Sequence, residues 1–130
     1  MMSQPKHILV VDDNRDVRDA IAAILERHNF RVSSAESGSL MRDFLQTADP
    51  VDCVVLDALM PGEGNISLVL HLKEVGLPVV MISGSPEAME RAEEYNLQLL
   101  WKPFHAQELY DAVNVALASG ELGQRSRGDG

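Results

Sequence analysis

Five short apolar runs alternate with helical patterns along this chain, and that alternation limits the fold more than any other feature. The runs lie at residues 8–11, 30–33, 51–56, 78–82 and 97–101. Each is as long as a strand, and the third is nearly continuous in apolar residues, as expected for a strand that helices cover on both faces. Strands that alternate with helices join into a parallel sheet through right-handed crossovers. The sequence therefore predicts an α/β fold with a doubly wound, five-stranded parallel sheet.

A helical pattern follows each predicted strand. Apolar residues recur at helical spacing over Val17–Leu25 and Leu40–Ala48, from about Asn65 to Val75, and from about Ala106 to Ala118. Ser37 can cap the second helix, whose expected buried face comprises Leu40, Met41, Phe44, Leu45 and Ala48. The helix expected to begin at Ser85-Pro86-Glu87 has few apolar residues and four glutamates, so we expect it to be held loosely.

The length of the chain bounds its organisation. A chain of 130 residues is long enough for one well-packed core and too short for two. Residues 120–130 are rich in glycine and poor in apolar side chains. We therefore expect one domain over residues 1–119 and a disordered tail over residues 120–130.

Composition narrows the classes of function. Twenty acidic residues against eleven basic ones give a formal net charge of -9, so most of the surface would repel nucleic acid and an anionic membrane. The single cysteine, Cys53, cannot form an internal disulfide, and the longest apolar runs are far shorter than the ~20 residues that span a bilayer. We expect a cytoplasmic protein that binds neither nucleic acid nor a membrane.

Polar side chains that can carry chemistry follow four of the predicted strands. Asp12 and Asp13 follow the first strand, Asp57 the third, Ser83 the fourth and Lys102 the fifth. The carboxyl ends of the strands form the ligand-binding edge of a doubly wound sheet, so these side chains are expected to converge. Each alone has an ordinary explanation as a turn or cap residue. Three crowded carboxylates, however, raise one another's pKa unless a positive charge lies among them.

Two groups could supply that positive charge: the ammonium of Lys102 and a divalent cation with oxygen ligands. Apart from His105, no histidine or cysteine stands near these strand ends, which favours Mg²⁺ or Mn²⁺ over zinc. A carboxylate beside such a cation, a lysine and a small hydroxyl residue suits phosphoryl transfer, because that reaction depends on positioning and on neutralising the phosphoryl oxygens. We expect Asp57, central in the sheet, to be the nucleophile.

Four motifs resemble those of the response regulator receiver domain. They are Ile-Leu-Val-Val-Asp-Asp-Asn at 8–14, Val-Leu-Asp-Ala-Leu-Met-Pro-Gly at 55–62, Met-Ile-Ser-Gly at 81–84 and Lys-Pro-Phe at 102–104. They occur in the order that the family has, and the resemblance covers about residues 6–118. It implies a flavodoxin-like receiver fold with strand order 2-1-3-4-5, as in the single-domain chemotaxis receivers of two-component phosphorelay signalling.

The resemblance also implies roles for the matching residues. Asp57 would become an aspartyl phosphate, and Lys102 would pair with the phosphoryl oxygens. The expected ligands of Mg²⁺, direct or through water, are Asp12, Asp13, Asp57 and the backbone carbonyl of Leu59.

The implied switch involves three further positions. Ser83 would hydrogen-bond the phosphoryl group and move toward it on activation, while Gly84 would leave room for that group. The Lys102–Pro103 bond resembles one that the family usually holds in cis. Leu99 departs from the pattern, because family members commonly have tyrosine or phenylalanine there as part of the switch.

The resemblance implies a phosphoacceptor protein that supports only its own phosphotransfer and autodephosphorylation, and not an enzyme that acts on other substrates. The donor would be a histidine kinase or a histidine phosphotransfer protein. Phosphorylation would switch the face formed by the fourth predicted helix, the fifth strand and the last helix, which would bind an unknown downstream protein. We expect a monomer, because four glutamates on the fourth predicted helix oppose a symmetric contact there.

Other functions stay open. The chain could be the receiver fragment of a larger response regulator or of a hybrid histidine kinase. A small aspartyl-phosphate phosphatase would want Asp-x-Asp after the first strand, where this chain has Asp12-Asp13-Asn14. A flavin-binding module of similar topology would have a loop rich in serine, threonine and glycine at that place.

Overall fold

The computed structural model describes residues 4–57, 65–84, 86, 90, 93 and 98–128. Its strands are β1 (His7–Val11), β2 (Arg31–Ala35), β3 (Cys53–Asp57), β4 (Val79–Ser83) and β5 (Gln98–Trp101). Its helices are α1 (Arg15–Arg27), α2 (Gly38–Leu45), α3 (Asn65–Glu74) and α4 (Ala106–Gly128). All strand pairs are parallel, in the order β2-β1-β3-β4-β5. The predicted doubly wound sheet and its strand order are confirmed.

Helices cover both faces of the sheet, so its central strands are apolar at almost every position. β1, β3 and β4 are buried along their whole length. On one face, α1 and α4 contribute Ile21, Leu25 and Leu109 to an apolar layer. On the other face, α2 and α3 contribute Met41 and Leu72 to a second layer. Removal of this apolar surface from water, at roughly 25 cal/mol per Å², is the main force that holds the strand ends in place.

Two helices begin where the sequence provides a capping side chain. Asn14 Oδ1 accepts a hydrogen bond from Val17 N, at 3.1 Å, at the start of α1. Ser37 Oγ accepts one from Leu40 N, at 3.2 Å, at the start of α2, which confirms the predicted cap. Each cap satisfies a first-turn N–H group and stabilises its helix by about 1 kcal/mol.

The predicted buried face of α2 is only partly right. Met41 is fully buried, and Phe44 and Leu45 pack against the same apolar layer. Leu40, however, is 44% exposed, and Ala48 lies beyond the end of the helix at the surface. The physical reason is that α2 has only 8 residues and packs over β2 and β1 at the edge of the sheet. Only a narrow stripe of this helix therefore reaches the core.

The last helix extends further than the sequence predicted. We expected it to end near Ala118 and to be followed by a disordered tail, but α4 continues to Gly128. The added residues include glycines and serines, which disfavour helix, but extending an existing helix costs far less than starting one. The predicted helix end is wrong, whereas the division of the chain at residue 119 stays a prediction. Neither α4 nor any other described helix has the length and apolar character of a membrane span.

The helix predicted to begin at Ser85 lies for the most part outside the described residues. Of its positions, Pro86, Glu90 and Glu93 are described, and each is helical. Its expected loose packing stays a prediction.

A buried histidine ties together the amino-terminal edge of the sheet. His7 is 2% exposed, with Nδ1 at 2.7 Å from the Pro50 carbonyl and Nε2 at 2.8 Å from Ser33 Oγ. A carbonyl oxygen can only accept a hydrogen bond, so Nδ1 donates to Pro50, and Nε2 forms a hydrogen bond with the serine hydroxyl. This histidine therefore joins β1, β2 and the segment before β3.

Leu109→Ala tests the layer that α4 forms with the sheet. Leu109 is fully buried, so the truncation leaves a cavity and should cost about 2 to 5 kcal/mol of unfolding free energy. The control is Val115→Ala on the same helix, because Val115 is 50% exposed and its truncation should cost about 0.5 kcal/mol or less. Urea unfolding followed by circular dichroism measures both. Equal free energies of unfolding for the two variants would contradict the burial of Leu109 between α4 and the sheet.

Candidate functional site

The carboxyl ends of the strands bring the predicted site residues to one edge of the sheet. Asp12 directly follows β1, Asp57 ends β3, Ser83 ends β4 and Lys102 directly follows β5. β3 is the central strand, with β1 on one side and β4 on the other. The residues that terminate these strands are therefore neighbours, as the parallel arrangement requires.

Three carboxylates form a cluster at this edge. One oxygen from each of Asp12, Asp13 and Asp57 lies within 4.8 Å of the other two. Asp12 and Asp57 are buried, at 2% and 7% exposure, whereas Asp13 is exposed. Buried carboxylates at such distances repel one another, because little water lies between them to screen the charges. A positive charge among the three carboxylates would relieve this repulsion.

Asp12 shows the combined effect of burial and of the neighbouring carboxylates. Its Oδ1 accepts a hydrogen bond from Asn14 N at 2.9 Å, and its buried Oδ2 has no hydrogen-bond partner among the described residues. Burial raises the pKa of Asp12, and the charges of Asp57 and Asp13 act in the same direction. The hydrogen bond from Asn14 and the charge of Lys102 lower this pKa but do not offset burial.

Lys102 supplies one positive charge. Its Nζ lies 3.7 Å from Asp57 Oδ1, and its side chain is 37% exposed. The Lys102 N–H donates to the Ser83 carbonyl at 2.9 Å, which continues the pairing of β4 with β5 past the strand end. The Lys102–Pro103 bond is cis, as the resemblance implied. The ammonium therefore pairs with Asp57 and keeps part of its hydration.

Ser83 and Gly84 lie beside the lysine. Ser83 is 1% exposed, and Gly84 is at the surface. A Cβ atom added to Gly84 would lie 3.7 Å from the Lys102 carbonyl oxygen and 3.8 Å from Lys102 Cβ, which are ordinary contact distances. Packing against Lys102 therefore does not require a glycine here, and the expected role of Gly84 in leaving room for a phosphoryl group stays a prediction.

Leu59 and Leu99 are the two remaining positions with an expected role from the sequence. Leu59, expected to offer its carbonyl to a metal ion, lies outside the described residues. Leu99 pairs with Met81 across β4 and β5 and is partly buried against the layer that α2 and α3 cover. Trp101, two residues further on, is 39% exposed. The strand therefore places an aliphatic side chain in the core and its aromatic side chain at the surface.

The acidic cluster fits a hard divalent cation. Its donor atoms are carboxylate oxygens, and one of them, Asp12 Oδ2, is a buried acceptor without a hydrogen-bond partner among the described residues. Such oxygen donors suit Mg²⁺ and Mn²⁺, and a cation there would replace the hydration that Asp12 loses on burial. Of the described residues, Asp12, Asp13 and Asp57 are the ones that could hold it.

One contact at the site was missed by the sequence reasoning. Arg18 Nη1 donates a hydrogen bond to the backbone carbonyl of Asp12 at 2.8 Å. The only signal in the sequence was an arginine near the start of the helix that follows Asp12. A contact from a side chain back to the main chain leaves no periodic pattern, so the residue types alone do not indicate it.

Comparison with known proteins gives one consistent result. A family model described as the response regulator receiver domain matches residues 8–114. Protein PetR of Rhodobacter capsulatus is 31% identical over 121 residues, and the transcriptional regulatory protein TdiR of Thauera aromatica is 35% identical over 118 residues. These two matches cover 90% and 85% of this chain but 51% of each relative. The chain thus spans about half the length of the curated relatives it matches.

A solved structure gives the same result at the level of the fold. The crystal structure of a response regulator receiver domain protein from Clostridium thermocellum superposes on this chain with a TM-score of 0.80 at 26% sequence identity. The superposition covers 90% of this chain and 98% of that chain.

Asp12→Asn should stabilise the metal-free protein at neutral pH by about 1 kcal/mol, because it removes a buried carboxylate whose pKa is raised. A raised pKa in the folded state means that the folded protein favours the protonated acid more than the unfolded chain does. The wild type therefore loses stability as the pH rises from the ordinary pKa of 3.8 through the raised pKa of the folded state. The advantage of Asp12→Asn should therefore shrink as the pH falls toward 3.8.

Urea unfolding in the presence of a chelator, repeated across this pH range, measures the difference between Asp12→Asn and the wild type. Asp19→Asn is the matched control, because the Asp19 side chain is 69% exposed on α1 and the variant removes the same charge from the surface. A variant at Asp12 that is less stable than the wild type at neutral pH would contradict the repulsion described here.

Proposed function

Because this chain belongs to the response regulator receiver domain family of two-component systems, we propose that Asp57 accepts a phosphoryl group from a histidine kinase or a histidine phosphotransfer protein. The observation that supports the proposal most strongly is the surroundings of the Asp57 carboxylate at the end of the central strand. Lys102 Nζ lies 3.7 Å from Asp57 Oδ1, and the oxygens of Asp12 and Asp13 lie in the same cluster. The Asp57 carboxylate, an ammonium and two further carboxylates thus share one edge, which is the set of groups that the proposal needs.

Asp57 is the nucleophile in this proposal. One of its carboxylate oxygens forms a bond to phosphorus while the bond between phosphorus and the donor's imidazole nitrogen breaks. The electron pair of the broken bond stays on the imidazole, and the product is an acyl phosphate on Asp57. β3 is buried and paired on both sides, so the carboxylate is held still for an in-line approach.

Positive charge is needed because the phosphoryl group brings further negative charge to an acidic cluster. The Lys102 ammonium, with 37% of its side chain exposed, can turn from Asp57 to the phosphoryl oxygens. Bound Mg²⁺, held by Asp12, Asp13 and Asp57, would supply the remaining neutralisation of carboxylate and phosphoryl oxygens. The buried Asp12 Oδ2, which lacks a hydrogen-bond partner among the described residues, supports this assignment.

Ser83 is the residue that we propose to sense the phosphoryl group. It ends β4, beside the strand that carries Asp57, and its carbonyl accepts the hydrogen bond from Lys102 N. A hydroxyl that turns toward phosphoryl oxygens would shift the end of β4 and, through Lys102 and the partly buried Leu99, the edge strand β5. The face made by the fourth predicted helix, β5 and α4 would then change its affinity for a downstream protein.

The proposed activity is limited to the receiver step. The chain would support its own phosphorylation and dephosphorylation and would not act as an enzyme on other substrates. TdiR is named a transcriptional regulatory protein, and this chain covers 51% of its length. We therefore propose that the effector under control lies outside these 130 residues, in a partner protein or in another domain. The expected monomeric state and cytoplasmic location stay predictions.

Intact-mass spectrometry after incubation with acetyl phosphate tests the proposal. The wild type should gain one phosphoryl group when Mg²⁺ is present and none in chelator, and Asp57→Asn should gain none under either condition. Asp43→Asn serves as the control, because it removes an exposed aspartate on α2 and should be phosphorylated like the wild type. A phosphoryl group on Asp57→Asn, or none on the wild type, would contradict the proposal.

Lys102→Met should slow phosphorylation by acetyl phosphate by about 100-fold, because it removes the ammonium beside the reacting carboxylate while keeping a side chain of similar length. The matched control, Lys73→Met, removes the same charge from an exposed position on α3 and should stay within about twofold of the wild type. The rate is followed by intact mass. A similar loss in both variants would show that net charge, and not the ammonium at the site, governs the reaction.

A further inference from the structure

We infer that Arg18 is a positioning residue for the acidic cluster: its guanidinium holds the main chain of Asp12 so that the Asp12 and Asp13 carboxylates face Asp57. The inference rests on the proposed function, because a receiver needs these carboxylates in one place to bind a cation.

Arg18 reaches back from α1 across the loop that follows β1. Its Nη1 donates to the Asp12 carbonyl at 2.8 Å, and a hydrogen bond from a charged donor is roughly twice as strong as one between neutral groups. The Asp12 N–H donates in turn to the Ala35 carbonyl at 3.2 Å. The main chain at Asp12 is therefore tied to α1 on one side and to the end of β2 on the other.

Asp12 needs this support because its side chain is in an unfavourable place. It is 2% exposed, its Oδ2 has no hydrogen-bond partner among the described residues, and two other carboxylates lie within 4.8 Å. Without a fixed main chain, the loop could relax by turning the carboxylate toward water. Groups held in a functional but unfavourable geometry depend on supporting contacts of this kind.

The contact with the main chain is what distinguishes Arg18 from an ordinary surface arginine. Arg18 lines a surface cavity of about 440 Å³ together with Glu36 and Asp43, yet within the described part of the chain it forms an ion pair with neither. The contact that links Arg18 to the acidic cluster is therefore its hydrogen bond to the Asp12 carbonyl.

Three variants separate the hydrogen bond from the charge. Arg18→Met removes the donors and keeps the length of the side chain, and Arg18→Lys keeps the charge with a single nitrogen donor. Arg15→Met is the matched control, because Arg15 lies on the same helix, is 83% exposed and pairs with Asp19. Titration with Mg²⁺, followed by the fluorescence of the single tryptophan, Trp101, measures the affinity of the site.

Loss of one such hydrogen bond should weaken Mg²⁺ binding by about tenfold in Arg18→Met. Arg15→Met should stay within about twofold of the wild type, and Arg18→Lys should fall between the two. Phosphorylation of Arg18→Met by acetyl phosphate should recover most of its rate at saturating Mg²⁺, because the defect is in holding the ligands. Equal affinities in Arg18→Met and Arg15→Met would overturn the inference.

Amide hydrogen exchange gives a second readout that does not depend on metal. In chelator, Arg18→Met should exchange the amide of Asp12 faster than the wild type by about tenfold, with no comparable change in β4. Unchanged exchange at Asp12 would overturn the inference, whether or not the protein binds Mg²⁺. A wild type that bound no Mg²⁺ would instead count against the proposed function. Should Arg18→Met not fold, Arg18→Gln, which keeps an uncharged donor, is compared with Arg15→Gln in the same way.

Discussion

Electrostatic repulsion among three carboxylates at one edge of a buried sheet is the constraint that the rest of the fold has to withstand. Asp12 directly follows β1 and Asp57 ends β3, and both strands are buried along their length, so the two carboxyl groups lie where the core meets solvent. One oxygen from each of them and from Asp13 lies within 4.8 Å of the others. Lys102 offsets part of this charge at 3.7 Å from Asp57. A divalent cation would offset the remaining negative charge, so the repulsion that destabilises the metal-free protein would favour cation binding.

The remainder of the fold holds this unfavourable edge in place. Layers of apolar side chains on both faces fix β1, β3 and β4, and the hydrogen bonds of His7 secure the opposite, amino-terminal edge of the sheet. Stability is thus concentrated away from the carboxylates. The side chains at the strand ends are therefore positioned for ligand binding by the sheet, and not by attraction for one another.

The sequence predicted the features that depend on local pattern. Alternation of apolar runs with helical stripes predicted the parallel sheet, and a parallel sheet brings Asp12, Asp57, Ser83 and Lys102 to one edge, although the roles of these residues stay predictions. Exposure of Leu40 was not predicted, because a helical stripe does not reveal that α2 lies at the edge of the sheet. The contact of Arg18 with the Asp12 carbonyl was missed because it follows from tertiary geometry.

A crystal structure of the protein with Mg²⁺ and beryllium trifluoride, a mimic of the phosphoryl group, would test the central claim most directly. The account predicts the fluoride complex on an oxygen of Asp57, within hydrogen-bond distance of Ser83 Oγ and Lys102 Nζ, with Mg²⁺ coordinated by oxygens of Asp12 and Asp57 directly and by Asp13 directly or through water. A fluoride complex bound elsewhere would contradict this account. So would a crystal grown in saturating Mg²⁺ in which the three carboxylates hold no cation.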